Sequence, residues 1–286
     1  MTQGTKLKAR LSRSEIIIIP GIYDALSALI AEQSGMEAIF LSGSAMSYSQ
    51  LGRPDVGLVT MSEMVNACAR ITDRIDIPVL VDVDSGFGNA AHAGRTIRAL
   101  EQAGAAAVQV EDQLPINPVN DLKSRPLVKP SVMADKIKAM ADARRNSDTL
   151  ISARSDAPAS EPLEKTLERI ALYKEAGADI LFSEGLTLEA EVAEVVRIAG
   201  DIPVLFNLLR GDTDLKSAPQ LEALGVSIAL FPGNAILSVG KLLQTVFAEL
   251  KDNPALKTEG FPISGTDFNA LLGTPEMLAT FKDFSG

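Results

Sequence analysis

Asp82 and Asp84 stand one residue apart in Val81-Asp82-Val83-Asp84-Ser85-Gly86-Phe87-Gly88-Asn89, directly after the apolar run Ile77-Pro78-Val79-Leu80. The same arrangement recurs along the chain. Ser42-Gly43-Ser44 follows Ala38–Leu41, and Glu111-Asp112 follows Ala107–Val110. Arg154-Ser155-Asp156, Ser183-Glu184 and Asn207 each follow a further apolar run. A charged residue just past a strand is ordinarily a solvated loop position. Recurrence at six run ends needs a common cause, and one mouth lined by successive strand ends supplies it.

The residue types define the chemistry of such a mouth. Asp82, Asp84 and Glu111 crowded together cannot all stay ionised without compensation. A hard divalent cation compensates them. Mg²⁺, with Mn²⁺ as its substitute, takes a few carboxylates and completes its octahedron with waters and substrate oxygens. The only thiol and imidazole, Cys68 and His92, fall on predicted helices, which argues against a soft metal and against a Ser-His-Asp triad. Arg154 offers a planar fork suited to a carboxylate or a phosphonate. Ser42-Gly43-Ser44 offers hydroxyls and backbone N–H groups in a tight turn, suited to an anionic group. Together they describe a site for a small dianionic or 2-oxo acid substrate.

The elements that must position these groups are legible. A helical pattern ending in Gly and followed by an apolar run appears four times, at Gly35, Gly104, Gly177 and Gly225. Gly is favoured there because the position past a helix end is left-handed. Eight strands are predicted: 16–20, 38–42, 79–82, 107–111, 150–154, 180–183, 204–207 and 227–231. Segments 27–33, 61–75, 92–103, 131–145, 162–176, 188–199 and 238–250 carry helical spacing. Alternation of strand and helix implies βαβ units and a parallel sheet, and continuous apolar strands imply burial on both faces. Eight units in 286 residues predict a (β/α)8 TIM barrel over 1–250, with a C-terminal helical extension over 251–286. A doubly wound open sheet is the alternative, but Pro20-Gly21-Ile22-Tyr23-Asp24 lacks its Gly-rich phosphate fingerprint. Leftover apolar residues in the extension, Phe268, Leu271, Leu272 and Phe281, suggest packing against a partner subunit.

Composition excludes other classes. A net charge of −10 argues against a nucleic-acid binder, which needs a basic footprint. One cysteine cannot form an intramolecular disulfide and fits a reducing cytosol. No apolar stretch reaches the roughly 18 residues of a membrane span. The expectation is a cytoplasmic enzyme with no membrane partner.

IPGIYDALSALIAEQSGMEAIFLSGSAMS, LGRPDVGLVTMSE, PVLVDVDSGFGNA, ALEQAGAAAVQVEDQ, LISARSDA and YKEAGADILFSEG together resemble the isocitrate lyase/phosphoenolpyruvate mutase superfamily. The resemblance runs from about Ile19 to Phe231, and the DxDxGxGN segment with its downstream Glu-Asp is its specific part. It implies an α/β barrel, Mg²⁺ dependence, and the making or breaking of C–C or P–C bonds in 2-oxo or 2-hydroxy dicarboxylates and phosphonates. It also implies C-terminal helices swapped between subunits of a dimer within a tetramer. By resemblance, Asp82, Asp84 and Glu111 fall on the metal-site acids. Ser42, Gly43 and Ser44 fall on the substrate carboxylate loop, Asp55 on a catalytic-site aspartate and Arg154 on the substrate arginine. Glu184 and Asn207 fall on further pocket positions.

One departure decides the expected reaction. The lyase members with a Lys-Lys/Arg-Cys-Gly-His motif have their counterpart here at Asn117-Pro118-Val119-Asn120-Asp121, so the catalytic Cys becomes Val119. A valine cannot protonate an enolate, which argues against methylisocitrate or isocitrate cleavage. Mutases and phosphonopyruvate hydrolases of the superfamily carry a Lys and an Asn-Ser pair in this loop; Asn117 or Asn120 could replace that Asn, but the Lys is missing. Oxaloacetate decarboxylation needs chiefly an electron sink, so an oxaloacetate decarboxylase is the leading expectation. In such members a His follows the last strand, and Asn234 stands at that place here. The alternatives are P–C bond chemistry on phosphonopyruvate, with Asp55 near the reacting group, and a 2-oxo acid binding protein without turnover.

Overall fold

The computed structural model describes residues 1–114, 126–208, 215–253 and 263–284. Eight strands lie in it: β1 (Ile17–Ile22), β2 (Ile39–Leu41), β3 (Val79–Asp82), β4 (Ala107–Glu111), β5 (Leu150–Ser155), β6 (Ile180–Ser183), β7 (Val204–Asn207) and β8 (Ile228–Phe231). Each pairs in parallel with the next, and β1 pairs with β8 through Ile17↔Ile228 to Pro20↔Phe231. The sheet is a closed barrel, as the (β/α)8 reading requires. The open-sheet alternative is overturned: pairing of the first strand with the last leaves no sheet edge at which strand order could reverse.

The continuous apolar strands are explained by two buried layers. Ile17, Ile19, Phe40, Leu80, Ala107, Leu150, Phe182, Leu205 and Leu230 form one cluster, the barrel interior. Their strand neighbours, such as Ile39, Val81, Val108, Ile151 and Leu181, form the other with the surrounding helices. Residues alternate between the two faces of a strand, and here both faces are apolar.

The helices are α1 (Gln3–Leu11), α2 (Ala25–Gln33), α3 (Gly43–Met46), α4 (Met61–Thr72), α5 (Ala90–Gln102), α6 (Pro130–Ala143), α7 (Leu163–Glu175), α8 (Glu189–Ala199), α9 (Ala218–Ala223), α10 (Asn234–Asp252), α11 (Gly265–Leu271) and α12 (Thr274–Phe284). A π-helical turn, Ser47–Leu51, continues α3. The sequence reading did not include α1. It is polar on average, yet Leu7 is buried in the barrel-interior cluster, and Lys6 and Lys8 donate to Asp76 O and Ser147 O, each at 2.6 Å. The helix therefore plugs the end of the barrel opposite the polar strand ends. All four predicted left-handed glycines have positive φ, from 84° at Gly35 to 102° at Gly177.

The chain divides into two compact units, Met1–Val239 and Gly240–Gly286, so the division falls inside α10 rather than at its end. Within the second unit α11 and α12 pack on each other. Among the described residues no helix is long and apolar enough to cross a membrane.

Candidate active site

The C-terminal strand ends enclose a cavity of about 910 Å³. Ser42, Ser44, Asp55, Asp82, Asp84, Glu111, Arg154, Glu184 and Asn207 all line it. Gly43 lies against it and donates its N–H to Asp82 Oδ2 at 3.2 Å. A Cβ on Gly43 would come within 3.1 Å of Asp82 Oδ2 and 3.3 Å of Asp84 Oδ1. A side chain there would press both carboxylates back by a few tenths of an ångström, so glycine suits the close approach of this loop.

Asp84 reaches the mouth in an unexpected way. Strict alternation along a strand would turn Asp82 and Asp84 to one side, but β3 stops at Asp82. Asp84 instead adopts a left-handed backbone with φ 46°. That conformation is disfavoured for a residue with a Cβ, and such strain gathers at functional sites. It is held by Glu111, whose N–H donates to Asp84 O at 2.9 Å, and by the turn in which Gly86 N–H donates to Val83 O at 2.8 Å.

Charge on this side of the mouth is poorly compensated. Burial pushes Asp82 up to about 6, although Arg154 opposes the shift. Burial pushes Asp84 up to about 8, and the charges of Asp82 and Asp55 add to it. Glu111 is raised well above the usual carboxylate range by burial, against the pull of Arg154. Each shift marks a carboxylate whose ionised form lacks solvation or a counter-charge.

Arg154 is the opposite case. Its Nε and Nη2 donate to the two oxygens of Asp156 at 2.9 and 2.8 Å. Glu111 Oε2 lies 3.3 Å from Nε and Glu184 Oε2 lies 3.9 Å from Nη2. The guanidinium also stacks over Phe182, 5.2 Å from the ring centre. These carboxylates hold it firmly cationic despite burial. Asn207 donates to Glu184 Oε2 at 3.1 Å, while its own Oδ1 is buried with no hydrogen-bond partner among the described residues. Just past β2, Ser42 Oγ and Ser44 Oγ lie 3.0 Å apart, and Ser42 also caps α3.

The donor set fits a hard divalent cation. Among the described residues no three His, Cys, Asp or Glu side chains converge closely enough to enclose an ion by themselves. Mg²⁺ does not require such a cage, because it keeps several waters and takes only one or two carboxylates with substrate oxygens. A cation beside Asp82, Asp84 and Glu111 would relieve the three raised carboxylates at once.

Asn234 is not brought to the site. The chain turns out of β8 at Pro232-Gly233, so Asn234 begins α10 as an exposed residue, and Pro232 and Leu230 line the cavity in its place. Asn117, Val119 and Asn120 lie outside the described residues.

Lys136 was missed. It lines the cavity and is buried, with Nζ donating to Ser85 O at 2.7 Å, so it ties α6 to the turn that carries Asp84. Burial lowers its pKa, opposed by Glu111 and Asp112. The signal was present: Met133, Lys136, Ile137 and Met140 form the inward stripe of α6, and a lysine in such a stripe is rarely structural filler. Tyr48, on the π-helical turn, also lines the cavity, and burial together with Asp55 raises its phenol, which keeps it a proton-bearing group.

A phosphoenolpyruvate phosphomutase family model matches residues 7–251. The chain is 37% identical over 277 residues to the 2,3-dimethylmalate lyase of Eubacterium barkeri, covering 96% of this chain and 95% of that one. Its fold is similar to that of oxaloacetate acetylhydrolase in complex with 3,3-difluorooxalacetate, with a TM-score of 0.92, 25% identity and coverage of 100% and 98%. It is also similar to a phosphonopyruvate hydrolase complex with oxalate and Mg²⁺, with a TM-score of 0.86, 27% identity and 98% of each chain covered.

Proposed function

The chain belongs to the phosphoenolpyruvate phosphomutase family, within the isocitrate lyase/phosphoenolpyruvate mutase superfamily, and from that premise we propose that it is a Mg²⁺-dependent oxaloacetate decarboxylase. That it is an enzyme of the lyase, mutase and hydrolase group acting on small oxo acids follows from its relatives. The finer reading rests on one observation: neither residue type best suited to protonating a carbanion lines the cavity. The single cysteine, Cys68, is buried on α4 with its thiol pushed up to about 12. The single histidine, His92, is exposed on α5 and bonded to Asn89.

Decarboxylation makes the least demand on a protein proton donor. When bound beside Asp82, Asp84 and Glu111, the divalent cation supplies polarisation of the 2-oxo carbonyl. Arg154, fixed by Asp156, presents its remaining N–H donors to the carboxylate next to that carbonyl. The Ser42 and Ser44 hydroxyls line the same cavity and offer further donors to that anionic group. The C3–C4 bond breaks, its electron pair passes toward the C2 oxygen, and CO₂ leaves. The resulting pyruvate enolate takes its proton at C3 from solvent. Asp55 lines the cavity with Tyr48, and its charge acts on Tyr48, Asp82 and Asp84; both side chains are assigned to the departing end of the substrate.

P–C bond cleavage on phosphonopyruvate is a second reading, supported by the family match and by the likeness to phosphonopyruvate hydrolase. A panel of 2-oxo and 2-hydroxy acids with Mg²⁺ separates the two. The expected outcome is release of pyruvate and CO₂ from oxaloacetate well above the rate with Mg²⁺ alone. A rate no higher than that background would sink the proposal, and phosphate release from phosphonopyruvate would establish the second reading. Exposed Leu243, Phe247 and Phe281 on α10 and α12 support an oligomer built on these helices.

A further inference from the structure

Asp112 follows Glu111 at the end of β4. It does not line the cavity, it is wholly buried, and both of its oxygens are committed. Oδ1 accepts the backbone N–H of Asp156 at 2.9 Å. Oδ2 accepts the Tyr173 hydroxyl at 2.7 Å, the Ser155 hydroxyl at 2.8 Å and Arg169 Nη1 at 3.4 Å. Arg169 is itself clamped by Glu161 through two bonds of 2.8 Å, and donates to Val128 O at 3.0 Å. A side chain so fully satisfied offers nothing to a ligand. Its partners show what it does instead.

Three carboxylates compete for Arg154: Asp156, Glu111 and Glu184. Only Asp156 takes it in a two-pronged bond, so the backbone placement of Asp156 decides where the guanidinium points. Asp156 sits at φ −96° and ψ 15°, in the sparsely populated bridge region, at the start of the short 3₁₀ turn Ala157–Ala159, where its C=O accepts Ala159 N–H at 3.3 Å. The Asp112 carboxylate adds to this hold, accepting Asp156 N–H and the preceding Ser155 hydroxyl. Asp112 is in turn fixed from behind by Tyr173 and Arg169 on α7.

We propose that Asp112, Tyr173 and Arg169 are positioning residues for Arg154, acting through Asp156 to aim its free donors into the cavity. The inference rests on the reading of Arg154 as the substrate carboxylate's partner, and it holds whichever oxo acid is the natural substrate. Without the Tyr173 hydroxyl the Asp112 carboxylate loses its shortest bond, Asp156 loosens, and Arg154 moves toward Glu111 or Glu184.

Oxalate binding to the Mg²⁺-loaded protein, followed by calorimetry, tests this. Tyr173→Phe is expected to weaken oxalate about tenfold. Arg154→Lys is expected to weaken it on its own, and adding Tyr173→Phe to Arg154→Lys is expected to change nothing more, because the aimed group is gone. An unchanged affinity in Tyr173→Phe, or an equal loss in both backgrounds, would overturn the proposal. Ile170→Val, a cavity-forming change at a buried neighbour on α7, controls for loss of stability: it is expected to lower Tm without moving oxalate affinity. An equal weakening by Ile170→Val would reduce the network to a merely structural role. Should Tyr173→Phe fail to fold, Ser155→Ala removes a different bond to the same Asp112 oxygen and carries the same expectations. A metal-free crystal structure of the variant gives an independent reading: Arg154 displaced from Asp156 supports the proposal, and an unchanged pair overturns it. If oxaloacetate is not the substrate, wild-type protein makes no pyruvate while these oxalate measurements still report.

Discussion

The two sides of one mouth treat buried charge in opposite ways. On the β3–β4 side, Asp82, Asp84 and Glu111 are raised carboxylates with few protein partners. On the β5 side, Arg154, Asp156, Asp112 and Arg169 form a closed chain of charged and hydrogen-bonded pairs. Removing an ion from water is costly, so a protein retains an uncompensated one where something else will compensate it. The first side is arranged to receive a charge; the second already has its counter-charges and is arranged to hold a shape.

Removing charge from each side should break the comparison most clearly. Asp84→Asn keeps a residue type that tolerates the left-handed backbone and removes one negative charge. Activity is expected to fall about 10³-fold, with the thermal stability of the metal-free protein at pH 8 unchanged or raised. Arg154→Ala is expected to abolish activity and also to cost about 3–5 kcal/mol of stability, because it strands Asp156 in a buried position. Paired measurements of kcat and of urea unfolding check both. Equal destabilisation by the two changes would erase the distinction between the sides.

The pH dependence of stability sharpens the contrast. Asp84 and Asp82 carry folded-state values of about 8 and 6, above the ordinary carboxylate value of roughly 4. Between these limits the folded protein binds more protons than the unfolded chain, so stability falls as pH rises. Metal-free protein should therefore lose Tm between pH 5 and pH 8, and saturating Mg²⁺ should restore more at pH 8 than at pH 5. A flat profile without metal would mean that the β3–β4 acids are compensated after all.

The smallest effect concerns Cys68. With its thiol raised to about 12 and buried against Ala103 O, it should resist alkylation in the folded protein. Activity after prolonged treatment with N-ethylmaleimide is expected to be unchanged. Loss of activity with a single modified thiol would place cysteine chemistry back in the mechanism.

Much of the site could be read before any coordinates. Each of the six polar groups follows an apolar run, and in a parallel barrel all runs end at one rim, so their convergence followed from the fold class. Other features had no local signature. Alternation suggested why Asp84 and Asp82 point the same way, but the strand stops first and a left-handed turn, tied to β4, aims Asp84 instead. Asn234 was expected at the mouth from its place after the last strand, yet the chain turns outward before reaching it.

The sequence by itself determined the number and order of the strands, the burial of both their faces and the acids and arginine at their ends. These are consequences of residue type and short-range spacing. The tertiary structure alone decided which charges meet. Asp112 adjoins Glu111 in the chain but turns into the wall, where it meets Tyr173, 61 residues away, and Lys136 reaches Ser85 across 51 residues. Such pairings depend on how helices lie over strand ends, and no periodicity within either segment encodes them. The acids at Asp82, Asp84 and Glu111 were therefore legible as a place for a cation, whereas the aim of Arg154 was visible only in the fold.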